Sequence, residues 1–383
     1  MPSIGVIGLG KNCERSIGHK LAKELFRKNG QDGIPNRILV NSRTPSTIDL
    51  FFQQGVREVL EQNLGKKEWE GRFSYSKNRP VQPVEDIVKD TVQRATYEQI
   101  AEQTELTVVC LEAQLPTAQI ASELARRSEL RREVYQANAV QMRKLTPCFK
   151  DYPGMVLMVT NPPSWHCMDW YEQTRMEAHR IAGVHPETCR LRDFTGLFSY
   201  LSSQGIEVKD LQGMDRVYVL GDHGGSNMVV PLSMVVVGGL IPPTFRPSSI
   251  KKNIATYLNQ MANRTLRLGG TTSHEITALI SRMVQSYYVE DAEEYVLAVY
   301  ASHLCHGRAV FSGEPVVFKD GRAQTKPLDF LTELEKTEYL LCLERMRKAW
   351  ETRHSALPGR RGATIESYLG KERLFKVPLF LPG

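Results

Sequence analysis

Over about the first 160 residues, short apolar runs alternate with stretches of helical periodicity. Ile4, Gly5, Val6 and Ile7 form an apolar run that ends in glycines, and residues 16–27 then place Ile17, Leu21, Leu25 and Phe26 at helical spacing. The unit reads strand, Gly-rich turn, helix. Ile38, Leu39 and Val40 follow without polar alternation, as in a parallel strand buried on both faces. The pattern predicts a helix over 46–61, a strand over 105–111, a long charged helix over 126–145 and a strand over 154–160 that ends in Asn161, Pro162 and Pro163. Residues 62–92, rich in Lys, Gly, Pro and Asn, read as a connection or insertion. Such alternation predicts an α/β fold, a doubly wound parallel sheet with its ligand crevice at the strand C-termini.

The second half changes character. It predicts a strand over 216–220, an apolar stretch over 228–239, helices over 251–266 and 274–303, and a hairpin of 309–311 with 315–318 around Ser312 and Gly313. An amphipathic helix over 331–353 carries Leu334, Leu340, Leu341, Leu343 and Met346. The expected division is a sheet domain over 1–162, a mixed α+β domain over 163–353 and an extension over 354–383.

A length of 383 residues suits two domains. The 41% hydrophobic and 24% charged fractions exclude a disordered or fibrous chain. The net charge of +6 comes mostly from the tail, where six Lys/Arg face two Glu after Glu351, and it demands no nucleic-acid partner. The start lacks the pattern of a signal peptide. The most apolar stretch, 228–243, is broken by Pro231, Ser233, Gly238 and Gly239 and is shorter than the ~20 residues of a membrane span. Seven scattered cysteines without a CxxC pair read as reduced thiols of a cytoplasmic protein. His166 and Cys167 are weighed as metal ligands, but no cluster shows ligand spacing, and no metal is expected.

Gly8-Leu9-Gly10 follows the first strand directly. Glycines there let the backbone approach a pyrophosphate at the next helix's N-terminus, as in Rossmann-type dinucleotide sites. The GxGxxG pattern wants glycine at position 13, where Cys13 stands, and the next glycine is Gly18. An acidic residue at the end of the second strand would hold the ribose of NAD. Residues 41–46 supply Asn41, Ser42, Arg43, Thr44, Pro45 and Ser46 instead. Ser42 and Arg43 suit a 2′-phosphate, which favours NADP over NAD. The competing reading is a hydroxyl cap for the next helix, with Ser46 as the cap.

His223 lies in Gly221-Asp222-His223-Gly224-Gly225-Ser226, where flanking glycines allow a substrate close approach and imidazole can move a proton. This segment, with Asn227 to Leu232, resembles the catalytic-histidine segment of the lactate/malate dehydrogenase superfamily. Val159-Thr160-Asn161-Pro162 is similar to that family's strand end at the nicotinamide. Residues 268–276 and 286–288 resemble its substrate-domain helix, and 329–336 the start of its final helix.

The resemblance implies hydride transfer between nicotinamide and a 2-hydroxy or 2-oxo compound. His223 would be proton acceptor and donor, oriented by Asp193. Asn161 would contact nicotinamide and substrate oxygen. Asn138 matches a family asparagine, which makes Arg131 the arginine that polarises the carbonyl. Arg126 lies near the position that reads the substrate's far end. The plainer readings are a helix cap for Asp193 and a solvated helix face for the arginines. The family also implies a homodimer or homotetramer acting on a small molecule.

Three departures alter the expectation. The family's carboxylate-binding arginine is replaced by Gly196, with Arg190 as a substitute one helical turn before Asp193. The segment after Gly270 is longer than usual and adds Thr271 to the pocket wall. The mobile loop near 112–122 has no arginine or glycine. The expected protein is therefore an NAD(P)-dependent oxidoreductase with an atypical substrate site. Two alternatives remain open: a hydrolase or lyase using transient oxidation by a bound nicotinamide, and a degenerate dehydrogenase acting as a binding protein.

Overall fold

A computed structural model describes residues 2–10, 16–28, 35, 37–60, 62, 88–111, 127–184, 218–222, 227–229, 231, 273–289 and 297–354. Its strands are β1 (Ser3–Ile7), β2 (Arg37–Asn41), β3 (Val92–Arg94), β4 (Leu106–Val109), β5 (Met155–Met158), β6 (Ile181–Gly183), β7 (Leu220–Gly221), β8 (Met228–Val229), β9 (Leu297–Cys305), β10 (Arg308–Lys319) and β11 (Arg322–Thr325). Its helices are α1 (Ile17–Arg27), α2 (Pro45–Leu50), α3 (Tyr97–Gln103), α4 (Arg127–Leu145), α5 (Pro163–Thr174), α6 (Ser273–Tyr288) and α7 (Glu333–His354). No helix among the described residues is long and apolar enough to cross a membrane.

The sheet runs β3-β2-β1-β4-β5-β6, all parallel. This is the doubly wound dinucleotide-binding order, with its switch point between β1 and β4. Period-two geometry sends successive side chains to opposite faces. Ile4, Val6, Ile38, Val40, Leu106 and Val108 enter one core with Leu21 and Leu25 of α1 and Ile280 and Val284 of α6. Ile7, Leu39, Val109, Val156 and Met158 enter the other, with Tyr135 of α4, Trp165 and Trp170 of α5 and Trp350 of α7. Burial of both faces explains the unbroken apolar runs.

The parallel sheet continues beyond residue 162, because β6 pairs with β5. A Gly183–Tyr300 pair then joins it to antiparallel β9 and β10, so one sheet holds all eleven strands of the described residues. Two expectations are overturned here. The helix over 274–303 ends at Tyr288, and 297–305 is strand. Ser312 and Gly313 are no turn: β10 is continuous, and Gly313 pairs with Tyr300 on one side and Gly221 on the other. The turns fall at His306-Gly307 and Asp320-Gly321, all four residues with positive φ, the signature of tight hairpins. The apolar stretch from Met228 begins as strand β8.

Candidate functional site

The glycine turn lies at the switch point. Gly8 has φ +92°, and a Cβ there would lie 2.6 Å from the Cys110 carbonyl oxygen at the end of β4. Gly10 also has positive φ, +73°. Gly18, in the first turn of α1, packs against the Gly8 carbonyl: an added Cβ would lie 2.1 Å from that oxygen. Gly18 thus provides the close helix–strand packing that the third glycine of the motif provides elsewhere. The Ser16 hydroxyl bonds the Leu9 carbonyl and the Gly8 N–H bonds the Asn41 carbonyl at 2.9 Å, which fixes the turn to both α1 and β2.

At the end of β2, the Asn41 amide donates to the Ala95 carbonyl. Ser42 is half-buried and Arg43 exposed. The N-cap of α2 is Thr44, followed by Pro45 at the first helical position, so Ser46 is not the cap. Thr44 makes no side-chain capping bond, which leaves the capping explanation of this hydroxyl cluster without support.

At the crevice, Thr160 ties β5 to β4: its hydroxyl accepts from the Leu111 N–H at 2.8 Å and donates to the Val109 carbonyl at 3.1 Å. Asn161 follows, exposed, with a cis bond to Pro162. Buried Asn138 of α4 donates from its amide to the Asn161 carbonyl at 3.0 Å. The asparagine that set the expected register of Arg131 therefore holds the backbone of the asparagine expected at the nicotinamide.

Asp222, the residue before His223, is 2% exposed. Its Oδ1 accepts from the Ser164 hydroxyl at 3.1 Å and the Tyr300 hydroxyl at 2.8 Å. Ser164 is the second residue of α5, which starts at Pro163, and Tyr300 lies on β9. The loop between β7 and β8 is pinched at its base: the Asp222 N–H donates to the Asn227 carbonyl at 2.6 Å. Gly221, with φ +88°, allows this, since a Cβ there would come within 2.3 Å of that carbonyl. Behind it, the Cys342 thiol of α7 donates to the same oxygen at 2.8 Å. One end of this loop is thus fastened to the C-terminal edge of β5.

No protein-family model matches the sequence. An L-lactate dehydrogenase of Mycoplasma pneumoniae is 21% identical over 196 residues, 49% of this chain, and the match spans 60% of that enzyme's length. A minor L-lactate dehydrogenase of Enterococcus mundtii superposes with a TM-score of 0.61 at 15% identity, covering 92% of this chain and 98% of that one. Malate dehydrogenase of Plasmodium falciparum gives 0.61 at 15%, covering 93% and 100%. The chain has the lactate/malate dehydrogenase fold.

Within this fold, the described residues bring Gly8, Gly10, Ser42, Arg43 and Asn161 to the C-terminal side of the parallel sheet. Arg131 lies on α4, its side chain outside the described residues. His223, Asp193, Arg126, Arg190 and Thr271 also lie outside them. Sequence reasoning missed Asp222, Ser164 and Tyr300. They are 58 and 78 residues apart along the chain, so no local spacing signals the contact.

His166 and Cys167 belong to the core of α5. Burial lowers the His166 imidazole to about pKa 4, against the raising influence of Asp169. Asp169 Oδ1 accepts from the Tyr135 hydroxyl at 3.0 Å and the Trp350 indole at 3.1 Å. This carboxylate joins α4, α5 and α7. The Cys167 thiol, fully enclosed, is pushed well above its ordinary value by burial. Trp165 and Trp170 are 2% and 0% exposed, so neither offers a face to a ligand.

Proposed function

We propose that the chain is a nicotinamide-dependent oxidoreductase that moves a hydride between cofactor and a polar 2-hydroxy or 2-oxo compound. The observation that carries this is the anchoring of Asp222 to Ser164, three residues after Asn161 at the exit of β5, in the same parallel sheet whose β1 ends in Gly8 and Gly10. Asp222, the residue before His223 in sequence, is thereby held at the strand C-termini, where a dinucleotide's reactive end would lie. A Cryptosporidium parvum lactate dehydrogenase of the same fold was crystallised with lactic acid and the cofactor β-nicotinamide adenine dinucleotide.

The turn fits such a cofactor: Gly8 and Gly10 both hold positive φ, a backbone path that glycine takes without strain, and α1, starting at Ile17, offers its N-terminus to a pyrophosphate. When bound, the nicotinamide supplies the hydride acceptor or donor. Ser42 and Arg43 would grip a 2′-phosphate, giving NADP preference with NAD accepted. Asn161 would orient the substrate oxygen. His223 would take the alcohol proton in oxidation and return it in reduction, with Asp193 fixing its tautomer. Arg131 would stabilise negative charge on the carbonyl oxygen, and Arg126, Arg190 and Thr271 would contact the rest of the substrate. Glycine at 196 removes the family's bidentate carboxylate clamp, so the preferred substrate differs from lactate or malate. The assembly would be a homodimer or homotetramer in the cytoplasm. Gly18 under the Gly8 carbonyl supports the catalytic reading over the degenerate one, because Cys13 at the motif position does not leave the turn without its packing glycine.

The test is His223→Asn assayed with NADPH against a panel of 2-oxo compounds. Turnover should fall by about 10²–10⁴ with cofactor binding unchanged. Turnover equal to the parent's would refute the assignment.

A further inference from the structure

At the far end of the β9–β10 hairpin, three donors of different chemistry meet. Cys305 closes β9, His306 forms the turn, and Glu344 comes from α7. The Cys305 sulfur lies 3.5 Å from Glu344 Oε2, and His306 Nε2 lies 3.2 Å from the same oxygen. The three donor atoms all fall within 4.8 Å of one another. Tetrahedral Zn²⁺ with a thiolate at ~2.3 Å and N and O ligands at ~2.0 Å separates S from O by about 3.5 Å and N from O by about 3.3 Å. The S–O and N–O contacts match those edges.

The carboxylate is also held as a ligand should be. Arg347 Nη2 and Lys348 Nζ reach Oε1 at 2.8 and 3.1 Å, and Arg347 Nε touches Oε2 at 3.2 Å. Arg347 is itself shared with Glu351, at 2.8 Å. Such outer partners orient ligating carboxylates in metal sites. The Cys305 thiol donates to Glu344 Oε2, and that proton is the one a divalent ion would displace. An ion pair of Glu344 with a 65% exposed His306 contributes little by itself.

We propose that Cys305, His306 and Glu344 bind one divalent ion of the Zn²⁺ class, with water completing the tetrahedron. Binding exchanges the thiol proton for the metal and releases that proton to solvent. The ion staples the hairpin turn to α7, the helix that also backs the loop containing Asp222. No cofactor or substrate residue takes part, so the site is independent of the oxidoreductase reading.

Co²⁺ added to chelator-treated full-length protein tests this. One equivalent should produce the thiolate-to-cobalt charge-transfer band, and Zn²⁺ should bleach it and raise the unfolding temperature. Cys305→Ser should abolish the band. His306→Asn should weaken Co²⁺ at least ten-fold while still folding, because asparagine tolerates the +49° φ of this turn. Absence of the band in the parent, its persistence in Cys305→Ser, or unchanged affinity in His306→Asn would each overturn the proposal.

Discussion

Replacing Gly18 by alanine probes the nucleotide turn without touching a polar group. In a helix alanine is worth ~1 kcal/mol over glycine, so an open site would gain stability. Gly18 is not open. Its new Cβ would lie 2.1 Å from the Gly8 oxygen, 2.9 Å from the Gly8 carbonyl carbon and 3.2 Å from Cys110 Cβ. Ordinary contact needs ~3.5 Å, so α1 must recoil from β1 by about 1 Å. Both collision partners at 3 Å or less are backbone atoms, which have no rotamer to yield. Overpacking of this kind costs ~1–3 kcal/mol, and the helix preference offsets only part of it. The recoil also moves the α1 N-terminus away from the Gly8-Gly10 turn. Urea unfolding should show a net loss of ~1–2 kcal/mol, and NADPH titration should show affinity at least ten-fold weaker. Gly307→Ala is the control: its φ of +76° is strained for alanine, but nothing lies within 4 Å. It should lose ~1–2 kcal/mol and keep cofactor affinity. Parent-like stability and cofactor binding in Gly18→Ala would refute the packing argument.

Removing Asp222 strands two buried hydroxyls: Asp222→Ala should cost about 3 kcal/mol in urea unfolding and abolish turnover, whereas Asp222→Asn, which keeps one acceptor oxygen, should retain most of the stability. Asp169→Ala deprives Tyr135 and Trp350 of their shared acceptor and should cost about 3 kcal/mol, measured by tryptophan-detected unfolding. His166 and His19 are both lowered to about 4, chiefly by burial. The unfolded chain protonates them from about pH 6.5 downward, so their contribution is complete above that pH and is lost as pH falls toward 4, at about 1.4 kcal/mol per unit for each. His166→Gln should therefore flatten the dependence of unfolding free energy on pH between 4.5 and 6.5 relative to the parent, and an unchanged slope would contradict a neutral buried imidazole. Arg43→Glu should weaken NADPH by at least ten-fold and leave NADH nearly unaffected, as read by competitive titration.

The parallel half of the fold was legible because its strands are buried on both faces. Ile38-Leu39-Val40 and Met155 to Met158 have no polar alternation to confuse the pattern. β3 went unread because only Val92 of its three residues is buried. The helix after it carried a local signal, the Thr96–Gln99 capping box, that pattern reading overlooked. In the second half, Ser312-Gly313 looks like a turn but sits mid-strand, where Gly313 pairs with Gly221 of β7. The true turns, His306-Gly307 and Asp320-Gly321, were equally visible as dipeptides. At the site, Gly8 and Gly10 were readable by position. The role of Gly18 was not, because it depends on a helix packing against a strand after a longer loop. The Asp222, Ser164 and Tyr300 cluster joins residues from β5's exit, the β7–β8 loop and β9, a contact that only the folded sheet creates.

The most direct test of the central claim is a thermal-shift titration of the purified chain with NADPH and NADH side by side. A ligand bound only by the native state raises the unfolding temperature with the logarithm of its concentration over its dissociation constant. Both should stabilise the chain, NADPH beginning at the lower concentration. No shift with either at millimolar concentration would contradict a nicotinamide-dependent oxidoreductase and leave the fold serving another purpose.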